Sequence, residues 1–352
     1  MVRIRGIDAA RGIALIGMFA THLDHTPLSM SNPGSWIHVA GGRAAVLFVV
    51  VAGFSLALAT GGATPHSGDR LAGDRLAILV RSVVLFALGG MLRALGTPVA
   101  VILEFYAVYF VIALLLLRLR VRTLWVIGAT FLILGPILVA GGPLWLPTYT
   151  VTPIGSVLFA GSYPAVVWLG FLILGLALGR TEWTVRRMWS LGGVGFVLAA
   201  AGHLGARFVQ PFAAALSDPA DPTAVRSILA APLAANLRST SPFIAVAVFG
   251  AALLVIAACL LLERLPWHVL YPLESVGRMA LTLYVAHILV LAIVHQAGPV
   301  GTVPALFLPV TIASLVVASL WFLRMRRGPL EAGLHALTVR ARGRRSVLVD
   351  AA

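Results

Sequence analysis

Lysine is absent from this chain, and all 26 basic residues are arginine. Acids are scarce as well, 12 in 352 residues, which leaves a formal net charge of +14. One cysteine, Cys259, excludes an intrachain disulfide and any multi-cysteine metal site. The nine histidines form no His-x-x-x-His or His-Glu-x-x-His pair, so no metal ligand is assigned. Charged residues amount to only 11%, against 60% hydrophobic residues and a mean hydropathy of +1.00. A water-soluble fold cannot hide that much apolar surface, so the expected solvent is a bilayer. The arginines lie scattered at the ends of apolar runs, which argues for orientation and lipid anchoring and against a nucleic-acid partner. No internal repeat strong enough to suggest inverted transporter halves is evident. Arg3 and Arg5 precede an apolar stretch, as in a signal peptide. Asp8 and Arg11 interrupt that stretch and no small-residue cleavage site follows, so an uncleaved first helix is expected.

What the chain does have is long apolar runs. Ten candidate spans follow one another, at roughly 8–23, 37–60, 76–96, 98–118, 122–140, 162–180, 185–205, 241–262, 275–297 and 302–323. A helix satisfies its own backbone in lipid, so the runs predict an all-α fold, a polytopic transmembrane helical bundle. With the N-terminus inside, Arg207, Arg226 and Arg238 fall in external loops, Arg43, Arg81, Arg93 and Arg278 fall within spans, and the other 19 of the 26 lie inside. The positive-inside rule therefore supports ten spans with both termini cytoplasmic. Residues 1–323 are expected to form the membrane domain and 324–352 a basic cytoplasmic tail on the anionic inner leaflet. The external segment 206–240 holds Ser217 and Asp221, either of which can cap a short interfacial helix. The arginine-only, Ala-, Gly- and Val-rich composition fits a GC-rich bacterial genome, and hence a multi-pass protein of a bacterial cytoplasmic membrane.

Charges inside apolar runs are costly in lipid and tend to be functional. Asp8 to His22, DAARGIALIGMFATH, carries three ionisable side chains. Asp8 and Arg11 share a helix face and can pair, for function or for structure alone. His22 lies about 21 Å further along the axis. Arg11, Arg81 and Arg278 sort to the inner side, where guanidinium forks suit a phosphate-bearing ligand; Arg81 and Arg278 could equally snorkel to the interface. His22 sorts to the outer side as a candidate general base, or as an interfacial histidine at a helix end. Glu104, inside the fourth span, can orient His22 or pair with Arg93 or Arg43. Asp24 and His25 can hydrogen-bond His22 or simply cap a loop, and His38 and Arg93 border the same side. In GRAAVLFVVVAGFSLAL (Gly42 to Leu58), packing explains Gly53 well and Arg43 poorly. In PLESVGRMALTLYVAHILVL (Pro272 to Leu291), Tyr284 and His287 share a helix face, to line a cavity or to link helices.

These three stretches together resemble the transmembrane acyltransferase superfamily, which includes the acyltransferase-3 proteins, the heparan-alpha-glucosaminide N-acetyltransferases and the YeiB-like bacterial membrane proteins. The family opening is an acid, two residues, Arg-Gly, then an apolar helix ending in His or Asn; here these are Asp8, Arg11-Gly12 and His22. FVVVAGFS resembles the family's second helix, GRMALTLYVAH its late Tyr-x-x-His helix, and RRGPLEAGLHALT the closing motif of the YeiB-like branch. The likeness is carried by both ends of the chain; residues 120–270 share only hydropathy. Two departures stand out. Pro33, in NPGSW, occupies the place of a loop histidine of the lysosomal branch, and Arg43 stands where several relatives have an acid.

The resemblance implies acyl transfer across a membrane, from an acyl-CoA (commonly acetyl-CoA) engaged on the cytoplasmic side to a hydroxyl or amine of an extracytoplasmic glycan or glycolipid. It implies His22 as the base or transition-state group and Arg11 as the arginine of the opening motif. The expected site is then His22, Glu104, Arg43 and Asp24 for catalysis, Asp8, Arg11, Arg81 and Arg278 for the donor, and Arg93, His38, Tyr284 and His287 for the acceptor. Membrane lipids, acyl-CoA and the glycan acceptor are the expected partners, and the sequence is also compatible with a homodimer. The other readings are a transporter or flippase of a lipid or small anionic metabolite, and a non-catalytic membrane partner protein.

Overall fold

The computed structural model describes residues 3–23, 39–145, 153–216, 241–296 and 306–350. Every regular element among them is a helix: α1 Arg5–Leu23, α2 Arg43–Ala59, α3 Gly68–Arg93, α4 Leu103–Ala113, α5 Val121–Trp145, α6 Pro153–Phe159, α7 Ala165–Gly179, α8 Val185–Leu216, α9 Pro242–Leu262, α10 Trp267–Arg278, α11 Ala280–Gln296, α12 Phe307–Arg324 and α13 Pro329–Asp350. Five of these are long and apolar enough to cross a bilayer: α3, α5, α8, α9 and α12. The pair α10–α11 would be a sixth span, broken by a 67° bend. Helices α2, α4 and α7 are apolar but shorter.

Three elements depart from the expected runs. The expected span 98–118 is helical only over the 11 residues of α4, about 16 Å of rise. Beyond Ala113 the ladder tightens to three-residue turns, with Leu114, Leu115 and Leu116 N–H bonding to Val111, Ile112 and Ala113 carbonyls. A hydropathy run cannot register that change, since the leucines continue through it. The expected span 275–297 is interrupted at Met279, whose N–H closes α10 on Ser275 and Val276 carbonyls. Residues 324–350, expected as a tail, carry α13, which packs on α3 and reaches the start of α11. The expected interfacial helix near Ser217 and Asp221 lies outside the described residues.

The chain divides into two compact units. The first comprises residues 1–48, 57–118 and 259–352, and the second residues 49–56 and 119–258. In the first, α1 lies against α10, and their approach is set by glycine. A Cβ on Gly277 would strike the Asp8 carbonyl and come within 2.9 Å of Gly12 N, and one on Gly12 would strike the Leu273 carbonyl. Lipid supplies no hydrophobic drive between helices, so such close backbone contact and packing are what hold them together. Glu263 fixes the start of α1, accepting from the backbone N–H groups of Arg5 at 3.0 Å and Gly6 at 3.1 Å. It thereby satisfies two of the helix's orphan donors and puts an anion at the positive end of its dipole.

In the second unit α7 is buried almost all round, as befits a helix apolar on every face. It too is approached through glycine: a Cβ on Gly175 would strike the Val50 carbonyl, and one on Gly53 the Leu172 carbonyl. This is the packing role that the sequence assigns to Gly53. Helices α8 and α9 meet the same way at Gly195, Gly202 and Gly250.

Candidate active site

The first unit holds a charged cluster near the beginning of α1. Asp8 is buried and accepts from Arg11 Nη1 at 2.6 Å and from Arg3 Nε at 2.5 Å. The i, i+3 spacing brings Asp8 and Arg11 together as the sequence leads one to expect. Arg11 also donates to the Gly277 carbonyl at 3.2 Å, which ties the pair to the last turn of α10. Arg278 extends this cluster. Its guanidinium lies 3.8 Å from the Phe322 ring centroid and 3.8 Å from a Glu274 oxygen, and it donates to the Arg326 carbonyl. Arg5 holds the other Glu274 oxygen at 3.0 Å and the Trp267 carbonyl at 2.7 Å. Glu263 and Glu274 were not singled out from the sequence. Their signal was available, because each is an acid at the edge of an apolar run beside the arginines it serves.

Arg81, on α3, is in a different situation. Its guanidinium lies 5.4 Å from the Phe110 ring centroid. Arg11, Glu331 and Tyr106 are its electrostatic neighbours. The side chain is accessible although protein surrounds it, and it makes no ion pair or hydrogen bond among the described residues. An accessible guanidinium that makes no ion pair among the described residues suits an incoming anion.

At the other end of α1 stands His22, half-buried, one residue before the helix ends. Its Nδ1 lies 3.0 Å from Nε2 of His287, on α11. The two rings stack, with centroids 5.3 Å apart and planes 12° from parallel. His287 is fully buried between Phe19 and Tyr284, each with its centroid 4.9 Å away. Tyr284 is buried too, and its hydroxyl accepts from the Ile102 N–H at 3.2 Å, just ahead of α4. His287 Nδ1 has no hydrogen bond of good geometry among the described residues, and the Leu283 and Tyr284 carbonyls are the nearby acceptors. Tyr284 and His287 therefore link helices, one of the two readings open to them from sequence, and His287 borders the His22 side chain.

The other expected residues are distributed as follows. Glu104 pairs with Arg93 at 3.4 Å, one of the two partners anticipated for it, and packs against Gly89. Arg93 itself is largely exposed. Arg43 is the first residue of α2 and donates to the Val39 carbonyl at 2.7 Å. Its neighbour Ala44 sits against Gly17 of α1, which places the start of α2 about 7 Å below His22 along the α1 axis. Asp24, His25 and His38 lie outside the described residues. Cys259 is buried near the end of α9, where its carbonyl meets Gly6.

Two family matches overlap along the chain. Residues 178–341 match "Protein of unknown function (DUF418)", a stretch that contains the late helix with Tyr284 and His287. Residues 3–203 match "Heparan-alpha-glucosaminide N-acetyltransferase, catalytic", and this stretch contains the Asp8–Arg11 pair and His22. No curated protein matches the chain. The second match covers more than half of the 352 residues and begins at the helix that carries both ends of the site, so the chain belongs to the heparan-alpha-glucosaminide N-acetyltransferase catalytic family.

Proposed function

We propose that the protein is a membrane-embedded acyltransferase that moves an acyl group, acetyl first of all, from acyl-CoA at the inner face to a hydroxyl or amine of an extracytoplasmic glycan or glycolipid. The observation that carries this reading is the His22–His287 contact at the end of the same helix that begins with the Asp8–Arg11 pair. Eleven residues of helix, about 16 Å, separate Arg11 from His22. A donor held by its phosphates at one end would thus present its thioester at the other. In this reading α1, the shorter apolar helices and the broken pair cross the membrane alongside the five long helices, ten crossings with both termini inside. In this reading the membrane is a bacterial cytoplasmic membrane.

The chemistry follows from the two rings. With His287 Nδ1–H turned to the backbone carbonyls beside it, His287 Nε2 accepts from His22 Nδ1–H. His22 Nε2 then keeps its lone pair and takes the proton of the acceptor O–H or N–H. The acceptor atom bonds to the thioester carbonyl carbon, the carbon–sulfur bond breaks, and the proton on His22 passes to the departing thiolate. Arg43, the first residue of α2, and the positive end of that helix are assigned to the charge gained by the carbonyl oxygen, and such stabilisation is commonly the largest contribution to rate. Arg11 and Arg81, assisted by Arg278, take the donor phosphates; Arg81 is the best suited because it makes no ion pair among the described residues. Arg93, with Glu104 engaged beside it, is left to the acceptor side.

One observation favours transport of a lipid or small anion instead, namely the broken helix at Met279. Transporters of that kind commonly carry such breaks in corresponding positions of two halves, and α10–α11 is the one pair of this type among the described residues. Calorimetry with acetyl-CoA, combined with thiol release on adding acceptor glycolipids, separates the readings. Acetyl-CoA binding that disappears in Arg11→Ala, with thiol release that disappears in His22→Ala, supports the enzyme. Flux of an anion through reconstituted vesicles without thiol release would replace it with the transporter.

A further inference from the structure

The break at Met279 leaves α11 to begin afresh inside a membrane protein, with Met279 and Ala280 buried. A helix beginning there has orphan backbone N–H groups, and in a low-dielectric setting they need partners. Those partners come from 49 and 50 residues further along the chain. Glu331, in the first turn of α13, accepts from Leu281 N–H at 2.7 Å and Thr282 N–H at 3.1 Å through Oε1. Its Oε2 accepts from the Thr282 hydroxyl at 2.6 Å. Thr282 returns the contact, its Oγ1 accepting from Leu330 N–H at 3.1 Å. Gly328 is part of the same joint, for a Cβ there would strike the Glu331 carboxylate. A second attachment lies further along α13, where Arg342 pairs with Asp74 at 2.8 Å while His66 holds the other Asp74 oxygen at 2.7 Å.

We infer that Glu331 is a positioning residue for the His22–His287 pair: by capping α11 across the break, it sets the axial height and rotation at which α11 presents His287 to His22. The inference rests on the acyltransferase reading only for its activity arm. Two facts make the cap more than ordinary helix stabilisation. The 67° bend means that α10 does not dictate the direction of α11 through a continuous hydrogen-bond ladder. In addition, His287 is only five residues beyond Thr282, about 7 Å of rise, so a tilt or slip at the cap is carried almost undiminished to its ring. A 3.0 Å contact between two ring nitrogens is lost by a displacement of about 1 Å, and geometric losses of that size cost catalysis about 100-fold. Glu331 is also an electrostatic neighbour of Arg81, which offers a different way for it to matter, through the donor phosphates. The experiment below separates the two routes.

The full-length protein in lipid nanodiscs is compared with Glu331→Gln, Glu331→Ala and Thr282→Val. Gln keeps one carbonyl oxygen for the two backbone donors, whereas Val removes only the hydroxyl. The first readout needs no substrate: imidazole nitrogen spectra of histidine-labelled protein report the His22–His287 hydrogen bond. It is expected to be intact in the wild type, weakened in Glu331→Gln and Thr282→Val, and lost in Glu331→Ala. The second readout is acetyl-CoA binding together with thiol release. In Glu331→Ala, kcat is expected to fall by about 10- to 100-fold, with acetyl-CoA affinity within twofold of wild type and partial recovery in Glu331→Gln. An unchanged His22–His287 signature in Glu331→Ala overturns the inference, and so does a loss confined to acetyl-CoA affinity. If wild-type protein neither binds acetyl-CoA nor releases thiol, the acyltransferase reading fails by itself, and the spectra still decide the role of Glu331.

Discussion

His22 and His287, 265 positions apart in sequence, meet nitrogen to nitrogen at 3.0 Å with their rings nearly parallel. Neutral imidazoles in that arrangement share one proton, so each ring fixes the tautomer of the other.

The first expectation concerns that pair. His22→Ala should lower acyl transfer by at least about 1,000-fold, in the range of a lost general base, with membrane insertion intact. His287→Gln should cost less, about 10- to 100-fold, since an amide preserves part of the hydrogen bond. The double variant should be little worse than His22→Ala, because residues acting as a unit are not additive. Thiol release from acetyl-CoA measures all three, and strict additivity would show that the histidines work independently.

Arg81 and Arg11 should differ in what they cost. Arg81→Ala removes a guanidinium that makes no ion pair among the described residues, so acetyl-CoA affinity should drop by about 10-fold or more, near the value of one charge-assisted hydrogen bond, with little change in melting temperature. Arg11→Ala also strips the buried Asp8 of its closest α1 partner, so it should lose both affinity and stability. Calorimetry and thermal melting of the same preparations distinguish them.

Glycine at the α1–α10 contact makes a purely steric prediction. Gly277→Ala would put a methyl group against the Asp8 carbonyl, which the backbone can relieve only by parting the helices. A destabilisation of about 1–3 kcal/mol or more is expected, read as a lowered melting temperature. Gly333→Ala, where nothing lies within 4 Å, should leave it unchanged and serves as the control.

His335, on α13, is held below the usual histidine range by desolvation and by the charges of Arg327 and Arg342. The folded chain therefore binds this proton less readily than the unfolded chain. Its contribution favours the folded state near neutral pH and is lost as pH falls below about 6.5 toward the lowered value. Nitrogen or carbon shifts of labelled histidine should show it titrating below 6.5 and moving upward in Arg342→Gln.

The parts legible in the sequence are those written in local spacing. Asp8 and Arg11 pair because three residues on a helix bring them together, and hydropathy located the helices with usable accuracy. The role of His22 as one terminus of a charged helix was legible for the same reason. Its partner was not. Tyr284 and His287 showed a shared face, but nothing in their own helix says which other helix that face meets. Glu104 illustrates the converse, since its candidate partners included Arg93, and only the fold selects that pairing. The break at Met279 was hidden because no proline marks it. Pro272 lies within α10, seven residues earlier, and the group that makes the break tolerable is a carboxylate on α13. Glu331 could be read only as an acid in the first turn of its own helix, whereas the helix it caps is α11.

The glycine seam between α1 and α10 has one more consequence. The α1 and α10 backbones lie too close for a side chain between them at Gly12 and Gly277, and Glu263 holds the first turn of α1, so sliding that helix against its neighbour would break both contacts. A carrier works by moving its binding site from one side of the bilayer to the other. In the acyltransferase reading this helix serves instead as a fixed post, along which the donor reaches from Arg11 to His22.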